Sequence, residues 1–202
     1  MRIGLDFDNT IVSYDTLFHK VAVEQALIPA DLAVNKLAVR DHLRAVGRED
    51  DWTALQGYVY GARMDEALAY DGVCAFACRA LERGHELLIV SHKTRHPFLG
   101  PQYDLHGAAR SWIERHLARP GGLLVAPERV FFELTKAEKV ARIAACQCDV
   151  YIDDLPEILL APDFPALTAR LLFDPEQHHG DAAAAGLHPF KDWRALDAHL
   201  NG

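Results

Sequence analysis

The segment Asp6-Phe7-Asp8-Asn9-Thr10 sets two carboxylates two residues apart at the end of a short apolar run, residues 2–7. An apolar run that stops on acidic residues has the pattern of a buried strand delivering side chains at its C-terminal end. Open α/β sheets bind ligands at that edge. Two carboxylates this close repel one another, so a site built on them needs a bound cation, which also screens the approach of a phosphate dianion. Hard oxygen donors point to magnesium. Taken alone, Asp6 and Asp8 also fit a turn capped by acidic residues, so the other positions decide.

Three further positions carry chemistry. Ile89-Val90-Ser91 ends a second apolar run on a hydroxyl. Thr135-Lys136-Ala137-Glu138 has the Thr-to-Glu spacing of a capping box, which starts a helix with Lys136 projecting from its first turn. Val150-Tyr151-Ile152-Asp153-Asp154 repeats the opening arrangement, an apolar strand ending in paired carboxylates.

The elements that must hold these residues follow from periodicity. Strands are predicted at 2–7, 86–90, 129–132, 149–152 and 169–173. Helices are predicted at 71–83, ending at Gly84, and at 103–117, 135–146 and 193–200, with 174–186 a polar loop. Strand and helix alternate, which implies a doubly wound α/β domain with a parallel sheet. Between the first two strands the pattern is helical throughout, at 17–27, 30–45 and 52–68, broken at Pro29 and by glycines. The expected organisation is therefore a core of 1–13 and 71–202 carrying a helical insert, 14–70.

In this order the four motifs resemble those of the haloacid dehalogenase (HAD) superfamily, and the resemblance runs from Met1 to about Pro156. Its first motif, Asp-x-Asp-x-Thr, is matched by Asp6, Asp8 and Thr10; its strand-terminal hydroxyl by Ser91; its helix-opening lysine by Lys136; its acidic pair by Asp153 and Asp154. The resemblance implies a Rossmann-like core whose insert is a small α-helical cap. It implies that Asp6 is the nucleophile on phosphorus and a metal ligand. Asp8 would be the general acid, its backbone carbonyl also reaching the metal. Thr10, Ser91 and Lys136 would bind the transferring phosphoryl group, with Lys139 the alternative to Lys136 if the helix register differs. Asp153 and Asp154 would complete a Mg2+ site, Asp154 being the favoured direct ligand. Members that cleave carbon–halogen or carbon–phosphorus bonds lack the second Asp, so Asp8 implies phosphate esters. The expected activity is hydrolysis of a small phosphate monoester through an aspartyl-phosphate, with a sugar phosphomutase or a catalytically silent binding module as the alternatives.

His92, Lys93 and Arg95 follow Ser91 on a loop expected at the same sheet edge, where His92 and Lys93 are further candidates for binding substrate or a second anionic group. Polar residues of the insert, His19, Lys20, Arg40, Arg44 and Arg63, are weaker candidates against the simpler expectation of solvated charges. Cys74, Cys78, Cys146 and Cys148 could form a split zinc site, but the first pair falls in an apolar helical pattern, so reduced thiols are expected. Trp52, Trp112 and Trp193 are expected in cores, because no basic stripe accompanies them.

Composition narrows the partners. A formal net charge of −8 argues against a surface that neutralises many nucleic-acid phosphates, though not against a small phosphorylated metabolite in a locally basic cleft. No stretch approaches the roughly 20 apolar residues of a membrane span. The N-terminal residues have no signal-peptide pattern, so a cytoplasmic monomer or homodimer is expected. Its 202 residues suffice for one core and an insert.

Overall fold

The computed structural model describes residues 1–202, the side chain of Asn201 excepted. Six strands, β1 (Arg2–Leu5), β2 (Glu86–His92), β3 (Val130–Glu133), β4 (Val150–Asp153), β5 (Ala169–Phe173) and β6 (His188–Phe190), form one sheet in the order β6-β5-β4-β1-β2-β3. Every neighbouring pair is parallel. The strand order reverses at β1, whose Ile3 is in register with Leu87 on one side and Val150 on the other. The crevice beyond the C-terminal ends of β1 and β4 is therefore the topological switch point, where such sheets bind ligands.

Both faces of the sheet are covered, as near-continuous apolar strands require. Alternate residues point to opposite faces. Leu88, Val90, Tyr151 and Leu172 pack on one face with Val140 and Ile143 of α6 (Lys136–Ala145) and Ile158 and Leu159 of the short α7 (Pro156–Leu159). Phe173, of the other parity, stacks with Trp193 of α8 (Trp193–Asn201), ring centroids 5.6 Å apart. Trp193 in turn meets Phe76 of α4 (Val73–Glu82) at 5.0 Å. The sheet thus has the doubly wound α/β architecture that the alternation predicts.

By contact the chain divides into two compact units. The first, residues 1–12, 69–93 and 113–202, contains the whole sheet. The second, residues 13–68 and 94–112, contains α1 (Asp15–Glu24), α2 (Lys36–Ala45), α3 (Glu49–Tyr60) and most of α5 (Leu105–His116). Its core is aromatic: Phe18 lies 5.1 Å from Trp52 and 5.5 Å from Tyr60, and Trp112 donates to Ala67 O at 2.8 Å. Residues 94–112 group with this helical unit in addition to the insert drawn from sequence. The insert's charged side chains are engaged at its surface: Lys20 with Glu66, Arg40 with Asp41, Arg44 with Glu49, and Arg63 with Glu24 and Glu66. Trp52, Trp112 and Trp193 are all buried.

Three elements differ from the sequence expectation. The helix expected from residue 30 starts only at Lys36, because Asn35 in extended conformation caps it, accepting from Leu37 N and Ala38 N at 2.7 and 3.1 Å. The helix expected at 52–68 ends at Tyr60, before Gly61. β6 lies beyond the polar loop and contains Pro189, which argues against a strand. It is tolerated because β6 is an edge strand with a single neighbour.

Candidate active site

The site is built within the first unit, at the switch point. Asp6 directly follows β1 and continues its ladder, its N–H donating to Ile152 O at 2.9 Å. The chain then turns sharply. Ile11 N and Val12 N both donate to Phe7 O at 3.1 Å, Asn9 N donates to Val12 O at 2.9 Å, and Asn9 takes a left-handed φ of 61°. Asparagine tolerates that region better than most residues. The turn delivers Asp6, Asp8 and Thr10 to one edge of the sheet, and Trp193 Nε1 braces it from α8 by donating to Thr10 O at 3.1 Å.

Asp6 is only 3% exposed. Its Oδ1 accepts from Ser91 Oγ at 2.8 Å and from Lys139 Nζ at 2.6 Å. The same ammonium lies 2.6 Å from Asp153 Oδ2, so one buried lysine bridges the carboxylates of β1 and β4. Asp153 is oriented from its other oxygen, where Oδ1 accepts from Leu155 N at 2.9 Å. Thr10 Oγ1 donates to Asp154 Oδ1 at 3.3 Å, which ties the two acidic motifs together. Asp8 is held by Lys93, whose Nζ lies 2.9 and 2.7 Å from its two carboxylate oxygens.

Burial dominates the electrostatics. It pushes the Asp153 carboxyl up, to about 6, with the Lys139 ammonium pulling the other way and the Asp6 charge adding to the rise. Burial also opposes the charge on Lys139, but Asp153 and Asp6 overcome it and hold this ammonium above the ordinary lysine value. The Lys139 Nζ lies 5.8 Å from the ring centroid of Tyr151, whose hydroxyl donates to Val90 O. Burial raises that phenol well above its usual range.

Among the described residues, Asp6, Asp153 and Asp154 form a group that could hold a metal ion, each offering an oxygen within 4.8 Å of the others. The donor set is all carboxylate, which suits a hard cation. In the wider site, Asp6, Asp8, Asp153 and Asp154 face two ammonium groups, Lys93 and Lys139. Two negative charges are left over, the charge that a divalent cation balances.

Ser91, Thr10, Asp6, Asp8, Asp153 and Asp154 thus come together as their motifs predict. Lys136 does not, and Lys139 takes its place. Lys136 occupies the first turn of α6, where it is about half exposed and pairs with Glu157. Lys139 sits one turn deeper, beside the buried Val140 and Ile143, on the stripe that packs against the sheet. A lysine in that apolar stripe was the signal in the sequence. His92 is placed with its Nε2 3.1 Å from Leu134 O and in no contact with the acidic cluster that the geometry records. The role of Lys93 at Asp8 had no local signal, because the pairing spans 85 residues.

No protein-family model matches the chain, and no curated protein matches it. Solved structures do. A HAD family hydrolase from Deinococcus radiodurans R1, determined with bound phosphate and sodium, superposes with a TM-score of 0.63 at 13% identity, covering 98% of this chain and 94% of that one. A phosphoserine phosphohydrolase-like protein from Francisella tularensis gives 0.57 at 13% identity, covering 98% and 99%. A HAD-superfamily hydrolase from Ehrlichia chaffeensis gives 0.52 at 11%, covering 99% and 95%. With its all-parallel sheet and its acidic cluster at the switch point, the chain has the fold of the haloacid dehalogenase superfamily.

Proposed function

We propose that this chain is a magnesium-dependent phosphohydrolase that cleaves small phosphate monoesters through an aspartyl-phosphate on Asp6. The observation that carries the reading is the environment of Asp6. It is a buried carboxylate with Ser91 and Lys139 both donating to Oδ1, and it sits next to Asp153 and Asp154 at the sheet's switch point. Two donors on one oxygen fix the plane of the carboxylate, so that Oδ2 can be aimed at phosphorus. Nucleophilic catalysis of this kind divides one difficult displacement into two easier ones.

The roles of the residues follow from what they touch. Lys139 and Ser91, both donors to Asp6 Oδ1, would meet the equatorial oxygens of a phosphoryl group attached to Asp6 and offset the charge that spreads over them during transfer. Asp8, two residues on, protonates the leaving oxygen and then takes a proton from the attacking water. Asp6, Asp153 and Asp154 would hold Mg2+, with Thr10 steadying Asp154. When bound, the ion supplies charge that draws the phosphate dianion into an otherwise acidic site. Residues 13–68, inserted between β1 and α4, are read as the small helical cap that favours small substrates.

The test is phosphate release from a panel of phosphorylated metabolites with magnesium present, for the wild type and Asp6→Asn side by side. Release by the wild type that is lost in Asp6→Asn and on chelation is the expected result. Release that survives Asp6→Asn overturns the reading.

A further inference from the structure

The phosphohydrolase reading accounts for one buried lysine, Lys139, but gives no task to the other. Lys93 is 4% exposed. Its backbone N–H donates to Glu133 O at 2.9 Å, extending the β2–β3 ladder by one residue and fixing the point from which the side chain starts. Its Nζ lies over the ring of Phe7, 5.6 Å from the centroid, and straddles both oxygens of Asp8 at 2.9 and 2.7 Å. The two lysines therefore divide the site. Lys139 serves Asp6 and Asp153, where the phosphoryl group is received; Lys93 serves Asp8.

A cation recruited only to bind the transferring phosphoryl group would belong beside Asp6. A cation on Asp8 belongs to the leaving-group side, since Asp8 acts on the leaving oxygen. Asp8 is also in need of a restraint. It stands in a tight turn next to a left-handed residue, its side chain is 20% exposed, and a short carboxyl in such a place has more than one rotamer open to it. An ammonium on both oxygens removes that freedom. We propose that Lys93 is a positioning residue that holds the Asp8 carboxyl in the place from which it reaches the leaving oxygen, the ammonium keeping one carboxyl oxygen while the other takes up from solvent the proton that it passes to the leaving group. This inference rests on the phosphohydrolase reading.

The test uses the dependence on leaving group. An alkoxide leaves only with help from an acid, whereas p-nitrophenolate leaves without it. The value of kcat/KM reports phosphoryl transfer to Asp6, before water enters. Wild type, Lys93→Met, Lys93→Arg, Asp8→Asn and the double variant Lys93→Met/Asp8→Asn are compared with magnesium on glycerol 1-phosphate and on p-nitrophenyl phosphate. Positioned proton transfer contributes on the order of 10²–10⁴ in rate. Lys93→Met is accordingly expected to lose roughly 10- to 100-fold on the alkyl ester and less than about threefold on the aryl ester. Lys93→Arg, which can also span two carboxylate oxygens, recovers most of the loss, and the double variant is no slower than Asp8→Asn. In metal-free protein, Lys93→Met lowers Tm in the Asp8 background but not in the Asp8→Asn background. Equal losses on both esters, additive losses in the double variant, or equal Tm drops in both backgrounds overturn the proposal. If these occur while Asp6→Asn is still inactive, the phosphohydrolase stands without this role for Lys93. A wild type that releases phosphate neither from these esters nor from any metabolite of the panel removes both.

Discussion

Lys139→Met is the most informative perturbation of the site. The lysine side chain is 1% exposed, and its Nζ lies 2.6 Å from carboxylates whose own side chains are 5% and 0% exposed. Methionine is similarly long and unbranched, so the substitution removes charge more than volume. Deleting one partner of a buried ion pair costs about 3–5 kcal/mol, because the remaining charge is left uncompensated. For a chain of this length that lowers Tm by roughly 6–20 °C. The loss depends on pH with a definite sign. Burial already lifts Asp153 to about 6 with Lys139 in place, and without the ammonium its folded-state pKa goes higher still. A carboxyl whose pKa is raised on folding binds protons in the native state first, so acidification stabilises the native state relative to the unfolded chain. The gap between variant and wild type is therefore widest above the raised pKa of Asp153 in the variant and narrows as the pH falls from there towards about 6. Magnesium, by partly replacing the lost positive charge at the acidic cluster, raises the variant's Tm more than the wild type's. The assay is thermal unfolding in chelator at several pH values, repeated with magnesium. A variant within about 2 °C of wild type at neutral pH, corresponding to less than about 1 kcal/mol, would refute the reasoning, as would a gap that widens on acidification.

Two further perturbations separate the site from its surroundings. Lys136→Ala removes an exposed pair with Glu157 and should change stability by no more than about 1 kcal/mol, and phosphate release by less than about twofold; a loss like that of Lys139→Met would reinstate Lys136 as the phosphate ligand. Gly4→Ala puts a Cβ 2.7 Å from the Tyr151 ring and 2.9 Å from Cys148 Sγ. The overpacking should cost about 1–3 kcal/mol in thermal unfolding, and an unchanged Tm would show that β1 and β4 can move apart.

The parts of this molecule that are legible in its sequence are those encoded within one element. The strands that end at or next to Asp6, Ser91 and Asp153 are short apolar runs giving way to polar residues, and parallel pairing stacks those ends along one edge of the sheet. The start of α6 is equally local, since the capping box between Thr135 and Glu138 forms as its spacing predicts. Which lysine of that helix enters the site is decided by its packing on the sheet. The lysine at the helix opening faces solvent, whereas Lys139 shares the buried stripe with Val140 and Ile143. Lys93 was visible as a candidate but its partner was not, because its pairing with Asp8 depends on the β1–β2 neighbourhood and not on adjacent residues. β6 is not legible in the sequence because Pro189 argues against a strand, and only the sheet order shows that an edge position accommodates it. The grouping of residues 94–112 with the helical unit is likewise a matter of tertiary contact, absent from periodicity.

Covalent attachment of phosphate to Asp6 is tested directly by trapping it. The wild type is mixed with p-nitrophenyl phosphate and magnesium, quenched in acid during turnover, and reduced with borohydride, which converts an acyl phosphate of aspartate to homoserine. Peptide mass spectrometry then reads the segment around Asp6. Homoserine is expected at position 6, dependent on the ester and absent from Asp6→Asn; an unmodified Asp6 during sustained phosphate release would assign the attack on phosphorus to water instead.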